Sequence, residues 1–417
     1  MDDCPRRTRR NMLAIALYQV IARTGWIFKT ETIIIPAVLD AVTEAGFLRG
    51  MLPVLARFGQ SLPPLGYANR LSAMPFKKRS LMMTTAAIAA CFAVLAMVWP
   101  WLAQRSPLLL AVIYLVLYAC FAVSNGLNLL VMATLQGKLV PVASRGRLML
   151  LSTTIGSVTA IAAAMIFLGP WLDEGESAFD KIFVTTAMFF ALAAAVPLLI
   201  DEPAAAAEKS DTARRSLVEA CRYWRAVLAA DRDLMRLCFV AGFFSVALFL
   251  FPHYQAFARD RLGTQLPNLL SWVVVQNVAT GLASVVAGPA TDSRGTKIVL
   301  VVLLACTAIT PLLVVGLSLL PHTTAGNLFW MVYVPLGINP ILMRTFSNAA
   351  LELAPTLADQ PKYVSLVGVA LAVPFVVSPA VGFLVDLLGF RPVFIAGALV
   401  ISGGVVLALG LPEPRQR

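Results

Sequence analysis

The sequence predicts an all-α membrane protein of about twelve transmembrane helices in two pseudo-symmetric six-helix bundles. The chain of 417 residues is 59% hydrophobic and only 13% charged, with a mean hydropathy of +0.81. A soluble globular chain is nearer half apolar and about a quarter charged. The apolar residues come in runs of the roughly 20 needed to cross hydrocarbon. Landmarks of the first half also return in the second at a nearly constant offset.

The runs fall at 12–37, 45–67, 80–101, 107–135, 148–169, 179–200, 235–257, 267–290, 298–320, 326–353, 363–385 and 391–411, here spans 1 to 12. Span 1 follows a basic start and holds Arg23, Lys29 and Glu31, with Gly25 and Trp26 between; span 2 holds Arg49, Arg57 and Gln60. Span 4 carries Tyr114, Tyr118, Asn125 and Asn128, and span 5 closes on Gly169 and Asp173. Span 7 carries His253, Tyr254 and Gln255 after Pro252, and span 8 closes on Gly288 and Asp292. Span 10 holds Asn339, Arg344, Ser347 and Asn348; span 11 closes on Gly382 and Asp386. Nothing comparable interrupts spans 3, 6, 9 and 12, whose Ala, Val, Leu and Ile suit a lipid-facing periphery.

A net charge of +11 suggests nucleic acid until its distribution is considered. With loops assigned alternately to two sides, 23 of the 33 Lys and Arg fall with the N-terminus, 5 opposite and 5 within spans. The N-terminal side is therefore expected in the cytoplasm of a cytoplasmic (inner) membrane protein, and an even number of spans returns the C-terminus there. The cysteines are scattered without paired spacing, so neither a disulfide nor a metal framework follows. The basic start before an apolar run resembles a signal peptide, but Arg23 and Lys29 interrupt it and no small-residue cleavage site follows, so span 1 is expected to be retained.

Asn125 precedes Pro141 by 16 positions, as Asn339 precedes Pro355, an offset of 214; Ser152 precedes Gly169 by 17, as Ser365 precedes Gly382, an offset of 213. Two halves on one plan follow, 1–200 and 235–417, joined by a polar linker at 201–234. In the linker Leu217, Cys221, Trp224 and Leu228 recur at helical spacing among arginines. Either an amphipathic helix on the inner leaflet or a solvated tether fits them.

A Gly-x-x-x-Asp mark closes spans 5, 8 and 11. It is fullest as Gly288, Asp292, Gly295 and Lys297, returns as Gly382, Asp386, Gly389 and Arg391, and survives in degraded form after span 2 as Gly66, Asn69 and Arg70. The glycine lets one helix approach another, and the Asp can cap the next helix or pair with a cation. These motifs resemble those after helices 2 and 8 of the major facilitator superfamily, with Ser293 where a base is usual, and the resemblance runs over essentially the whole chain. It implies inverted three-helix repeats, a central lining of spans 1, 4, 7 and 10 with span 2 beside them, two bundles alternating in access, and a gating role for the marks, with Asn69 in place of the first copy's Asp. It supplies no substrate.

A charge at mid-membrane costs at least about 2.5–3.5 kcal/mol, so in-span charges point to a wet cavity or a partner. On an ideal helix Lys29 and Glu31 stand about 160° apart, and Arg23 and Glu31 about 80°. They cannot share one patch unless Gly25 loosens the helix, so Glu31 is expected near Arg57, with Lys29 paired elsewhere or snorkelling outward. Glu31 reads as a binding or proton-coupling carboxylate or as half of a structural ion pair. The substrate-binding candidates are Trp26, Lys29, Glu31, Arg57, Gln60, Tyr118, Asn125, Asn128, Asn339 and Arg344; the asparagines read equally as bonds between helices, and the aromatics as packing. His253 reads as a coupling group or as a solvated interfacial side chain.

The in-span cations Arg23, Lys29, Arg49, Arg57 and Arg344 outnumber Glu31 and Glu352, which favours an anionic or acid-bearing solute. The expectation is a monomeric secondary transporter in the lipid bilayer, coupled to a proton or ion, with no cofactor, catalytic residue, metal or nucleic acid partner. The sequence lacks HExxH, GxSxG and GxxxxGK[ST] motifs, which argues against an enzyme or a direct ATP drive. The alternative is a transporter-like sensor or assembly partner that binds a solute without moving it.

Overall fold

The computed structural model describes residues 3–203, 225, 227–266, 268–355 and 359–413, and every regular element among them is helical. Ten helices, from Lys77–Leu102 to Phe390–Leu409, are long and apolar enough to cross a membrane; they are spans 3 to 12. Ahead of them Asp3–Ile27 and Gly46–Ala73 have 25 and 28 residues. At about 1.5 Å per residue both suffice to cross about 30 Å of hydrocarbon, and their charges set them apart from the other ten. The chain is a multi-pass membrane protein.

Proline accounts for most departures from straight helix. Span 1 stops at Ile27 and resumes as Ile34–Asp40. Five of the six residues from Thr30 to Ile35 are β-branched, and Pro36 cannot donate to, and clashes with, the carbonyl four residues back. Span 7 consists of Arg232–Phe249 and Phe251–Leu262, with Pro252 at the joint. It starts on a side-chain cap, the Asp231 carboxylate accepting the N–H groups of Asp233 and Leu234 at 3.0 and 3.1 Å. Span 10 loosens between Phe329 and Ile338 before Asn339–Leu353, where Pro335 and Pro340 stand; span 11 is interrupted at Val373–Val377, which holds Pro374.

The chain forms two compact units, Met1–Glu44 with Leu55–Thr212, and Ala45–Val54 with Ala213–Arg417. In the first, span 3 packs against spans 4 and 6, and span 1 against spans 5 and 6. Its core joins Ile15 and Tyr18 of span 1 to Leu81, Val131, Leu135 and Ile200, all buried. In the second, span 9 packs against spans 10 and 12, and span 7 against spans 11 and 12. The two lists coincide on adding six, so the duplication inferred from spacing extends to packing. One boundary differs from expectation: residues 45–54, the first turns of span 2, group with the C-terminal unit. Leu217, Cys221 and Trp224 of the expected amphipathic helix lie outside the described residues.

Candidate functional site

The unwound segment of span 1 changes the expected geometry of its charges. Gly25 lies within the helix, and the backbone leaves helical form only at 28–33, so Lys29 and Glu31 are not held on opposite faces. The Lys29 Nζ donates to Glu31 Oε1 at 3.1 Å. The Lys29 side chain is 1% exposed and that of Glu31 27%, so the cation is sealed and the carboxylate half open. The ammonium also lies 2.8 Å from the centre of the Trp26 ring and 3.9 Å from that of Phe121. Lys29 thus neither snorkels nor pairs elsewhere, and Glu31 makes no ion pair with Arg57 among the described residues. Burying an ammonium is tolerable because a carboxylate and two aromatic faces replace its hydration.

Spans 2 and 4 cross closely beside this pair. A Cβ on Gly59 would meet that of Ala122 at 2.7 Å, and one on Gly126 would meet the Gln60 backbone at 2.6 Å. The crossing puts Gln60, half-buried, against the turn of span 4 that holds Asn125, which is 5% exposed. Three residues before Gln60, Arg57 has a buried Nε with no hydrogen-bond partner. Tyr118, 3% exposed, stacks on Tyr114 and lies 5.7 Å from Phe121, so it packs behind the Lys29 box. Tyr114 is committed, donating to the Ile35 carbonyl of the broken span at 3.0 Å.

Asn128 is bonded into the packing of its bundle. Its Nδ2 donates to Thr85 Oγ1 at 2.8 Å and Thr84 Oγ1 at 3.1 Å, and its Oδ1 accepts from Tyr18 at 3.0 Å. These bonds tie spans 1, 3 and 4 together and engage both amide donors and the carbonyl oxygen in a dry interior. Asn339 in the other half is 2% exposed, its Oδ1 accepting from Thr307 of span 9 at 3.1 Å and its buried Nδ2 without a hydrogen-bond partner among the described residues. For Asn339 a bond between helices is the alternative that the sequence left open.

In the second unit, span 10 buries Leu342, Phe346 and Ala350 and exposes Pro340, Arg344 and Asn348, one turn apart. Arg344 makes no ion pair among the described residues. An unpaired guanidinium next to Asn348 is incompatible with hydrocarbon, in contrast to the exposed Leu399, Val406 and Leu409 of span 12. His253 is fully buried, with neither ring nitrogen hydrogen-bonded, so it is not the solvated interfacial side chain expected. Arg49, 2% exposed, lies 3.9 Å from Asp260.

The Gly-x-x-x-Asp marks prove unequal. At Gly382 an added Cβ would collide with the Gly46 carbonyl, and the Asp386 carboxylate accepts the Gly46 N–H at 2.8 and 3.1 Å. That mark seats the start of span 2 rather than capping the helix that follows it. Gly288 has open space around it among the described residues. Gly295 and Gly389 share a conformation that only glycine tolerates, φ +94° with ψ 158° and φ +82° with ψ 172°, and each turns the chain into the next span. The side chains of Asn69, Arg70 and Asp292 lie outside the described residues.

Two further acids were missed. Glu202 accepts the N–H groups of Lys77 and Lys78 at 2.9 and 2.8 Å, capping span 3, and the Lys138 ammonium at 2.7 Å. Glu413 accepts those of Thr296 and Lys297 at 3.0 and 3.2 Å, capping span 9. Lys297 of the motif is held by this cap. The signal was legible as Glu-Pro after spans 6 and 12, at 202–203 and 413–414.

No family model and no curated protein matches the sequence. Solved structures do. A variant of the nucleoside transporter NupG aligns with 96% of this chain and 99% of its own at a TM-score of 0.72 and 11% identity. A D-xylose-proton symporter covers 98% and 99% at 0.70 and 14%. A POT family transporter in complex with 5-aminolevulinic acid covers 96% and 95%, again at 0.70 and 14%. Full-length alignment with duplicated packing leads to one conclusion: this chain has the fold of the major facilitator superfamily transporters.

Proposed function

We propose that the chain is a secondary transporter that moves a small, acid-bearing solute across the cytoplasmic membrane by alternating access, with both termini in the cytoplasm. The observation that carries this reading is Arg344, exposed one turn from Asn348 on a membrane helix and without an ion pair among the described residues. A guanidinium offers a fork of donors matched to a carboxylate or phosphate. In the other half Lys29 already neutralises Glu31, which leaves Arg57 as uncompensated charge, so the balance favours an anion. Glu31, half-exposed on an unwound segment and paired with the sealed Lys29, is the coupling group. Gln60 and Asn125 are the neutral lining, and the seat of Gly46 on Gly382 and Asp386 is a gating contact.

Counterflow of labelled organic anions in vesicles holding the purified protein tests the reading. Exchange of a carboxylate or phosphate solute is expected, with Arg344→Gln raising its half-saturation about tenfold or more, the loss of roughly one charge-assisted bidentate contact. Movement of cations alone, or static binding with no counterflow, would overturn it.

A further inference from the structure

The face on which spans 7, 9 and 11 end is poor in cations. Alternate assignment of loops places only Arg105, Lys181, Arg259, Arg261 and Arg391 there, of 33 Lys and Arg. Two of these, with one of the chain's two histidines, His322, nevertheless line a single cleft of about 390 Å³ within the second unit. Like charges gathered on a depleted face repel one another unless something answers them.

No acidic side chain lines the cleft among the described residues. Arg261, His322 and Arg391 are exposed and make no ion pair among the described residues. The neighbouring carboxylates are engaged, Asp260 by Arg259 at 2.7 Å and Asp386 by the Gly46 N–H. Arg391 is fixed at the rim instead, its Nη2 donating to the Ser318 carbonyl at 2.6 Å, which leaves its other N–H groups to a ligand. The floor is apolar: Phe257 is 2% exposed and Phe390 8%. At the mouth Leu320 and Leu388 stand open, and Leu388 continues the exposed strip of Phe383, Leu384 and Leu387 on span 11, a surface made for hydrocarbon. The cleft therefore joins a cationic rim to a lipid-facing wall, with a volume in the range of small-molecule sites.

We propose that this cleft binds the phosphate head of an anionic phospholipid from the adjacent leaflet. Arg391 and Arg261 hold the phosphate oxygens, His322 adds a third donor, and the first carbons of the chains lie over Leu320 and Leu388. Soluble glycerol phosphates share the head chemistry, and the apolar mouth selects the lipid. The assignment does not depend on what the protein transports.

Native mass spectrometry of the full-length protein in neutral detergent, titrated with phosphatidylglycerol, phosphatidylcholine or glycerol phosphate, tests it. The first phosphatidylglycerol is expected to bind about tenfold more tightly than phosphatidylcholine. The Arg261→Gln, Arg391→Gln double variant loses that preference, whereas Arg105→Gln with Lys181→Gln, which removes the same charge elsewhere on this face, keeps it. Equal affinity for the two lipids, equal loss in both double variants, or glycerol phosphate binding as tightly as phosphatidylglycerol would each overturn the proposal. If the first double variant does not fold, His322→Gln replaces it: a loss of about threefold is expected from one fewer charge-assisted bond, and no change overturns the proposal.

Discussion

The carboxylate of Asp386, at the end of span 11, accepts the backbone N–H of Gly46, at the start of span 2, through both oxygens at 2.8 and 3.1 Å. Residues 340 positions apart are joined there by one polar contact and by the close approach that Gly382 allows. Asp386→Ala is expected to cost about 1 kcal/mol, as for a lost helix cap. Gly382→Ala should cost more, about 1–3 kcal/mol, because its methyl group meets backbone rather than a mobile side chain. Thermal unfolding of the purified variants measures both, and a Gly382→Ala variant as stable as the parent would disprove the close seat.

Glu202 and Glu413 occupy equivalent places but carry different loads. Glu202 is buried and holds Lys138 as well as the cap of span 3, whereas Glu413 accepts only the two N–H groups of span 9 among the described residues. Glu202→Ala should therefore lower stability by about 3 kcal/mol, the lower end for breaking a buried pair. Glu413→Ala should lower it by about 1 kcal/mol. Equal shifts in denaturation would mean that Lys138 contributes nothing.

Asn128 and Arg344 were drawn from the sequence as one class of candidate, and the structure separates them. Asn128→Ala removes three buried hydrogen bonds and should cost about 2–3 kcal/mol of stability. Solute affinity, read by thermal shift or counterflow, should stay within about twofold of the parent, less than the weakest direct contact would give. A large loss of affinity at unchanged stability would return Asn128 to the site.

The Lys29–Glu31 pair yields a double-mutant test. Glu31→Gln leaves a buried ammonium with only aromatic faces and a neutral amide, and should cost about 3 kcal/mol; adding Lys29→Met should recover much of that. In transport assays Glu31→Gln should keep solute exchange and lose pH-driven uptake. Unchanged pH dependence removes Glu31 from coupling.

Much of the candidate site was legible because cost is written in residue type: Lys29, Glu31, Arg57 and Arg344 stand out in hydrocarbon-length runs wherever they point. Direction was not legible. The assumption of a continuous helix set Lys29 and Glu31 about 160° apart. The β-branched run ending at Pro36 was in plain view, but its consequence, an unwound turn that folds the two together, depends on Trp26 and Phe121 receiving the ammonium. His253 failed for a similar reason, since whether a histidine near a span end meets water depends on what packs over it.

Composition and spacing alone determined the class, the span count and the duplication, because hydrocarbon demands apolar runs of fixed length and a duplicated chain keeps its intervals. Only the tertiary structure decided which polar residues are glue and which are exposed. The amide at Asn128 bonds Tyr18, Thr84 and Thr85 from two other spans, while Arg344 meets no acid among the described residues, and no interval along one chain encodes which distant side chains share a face.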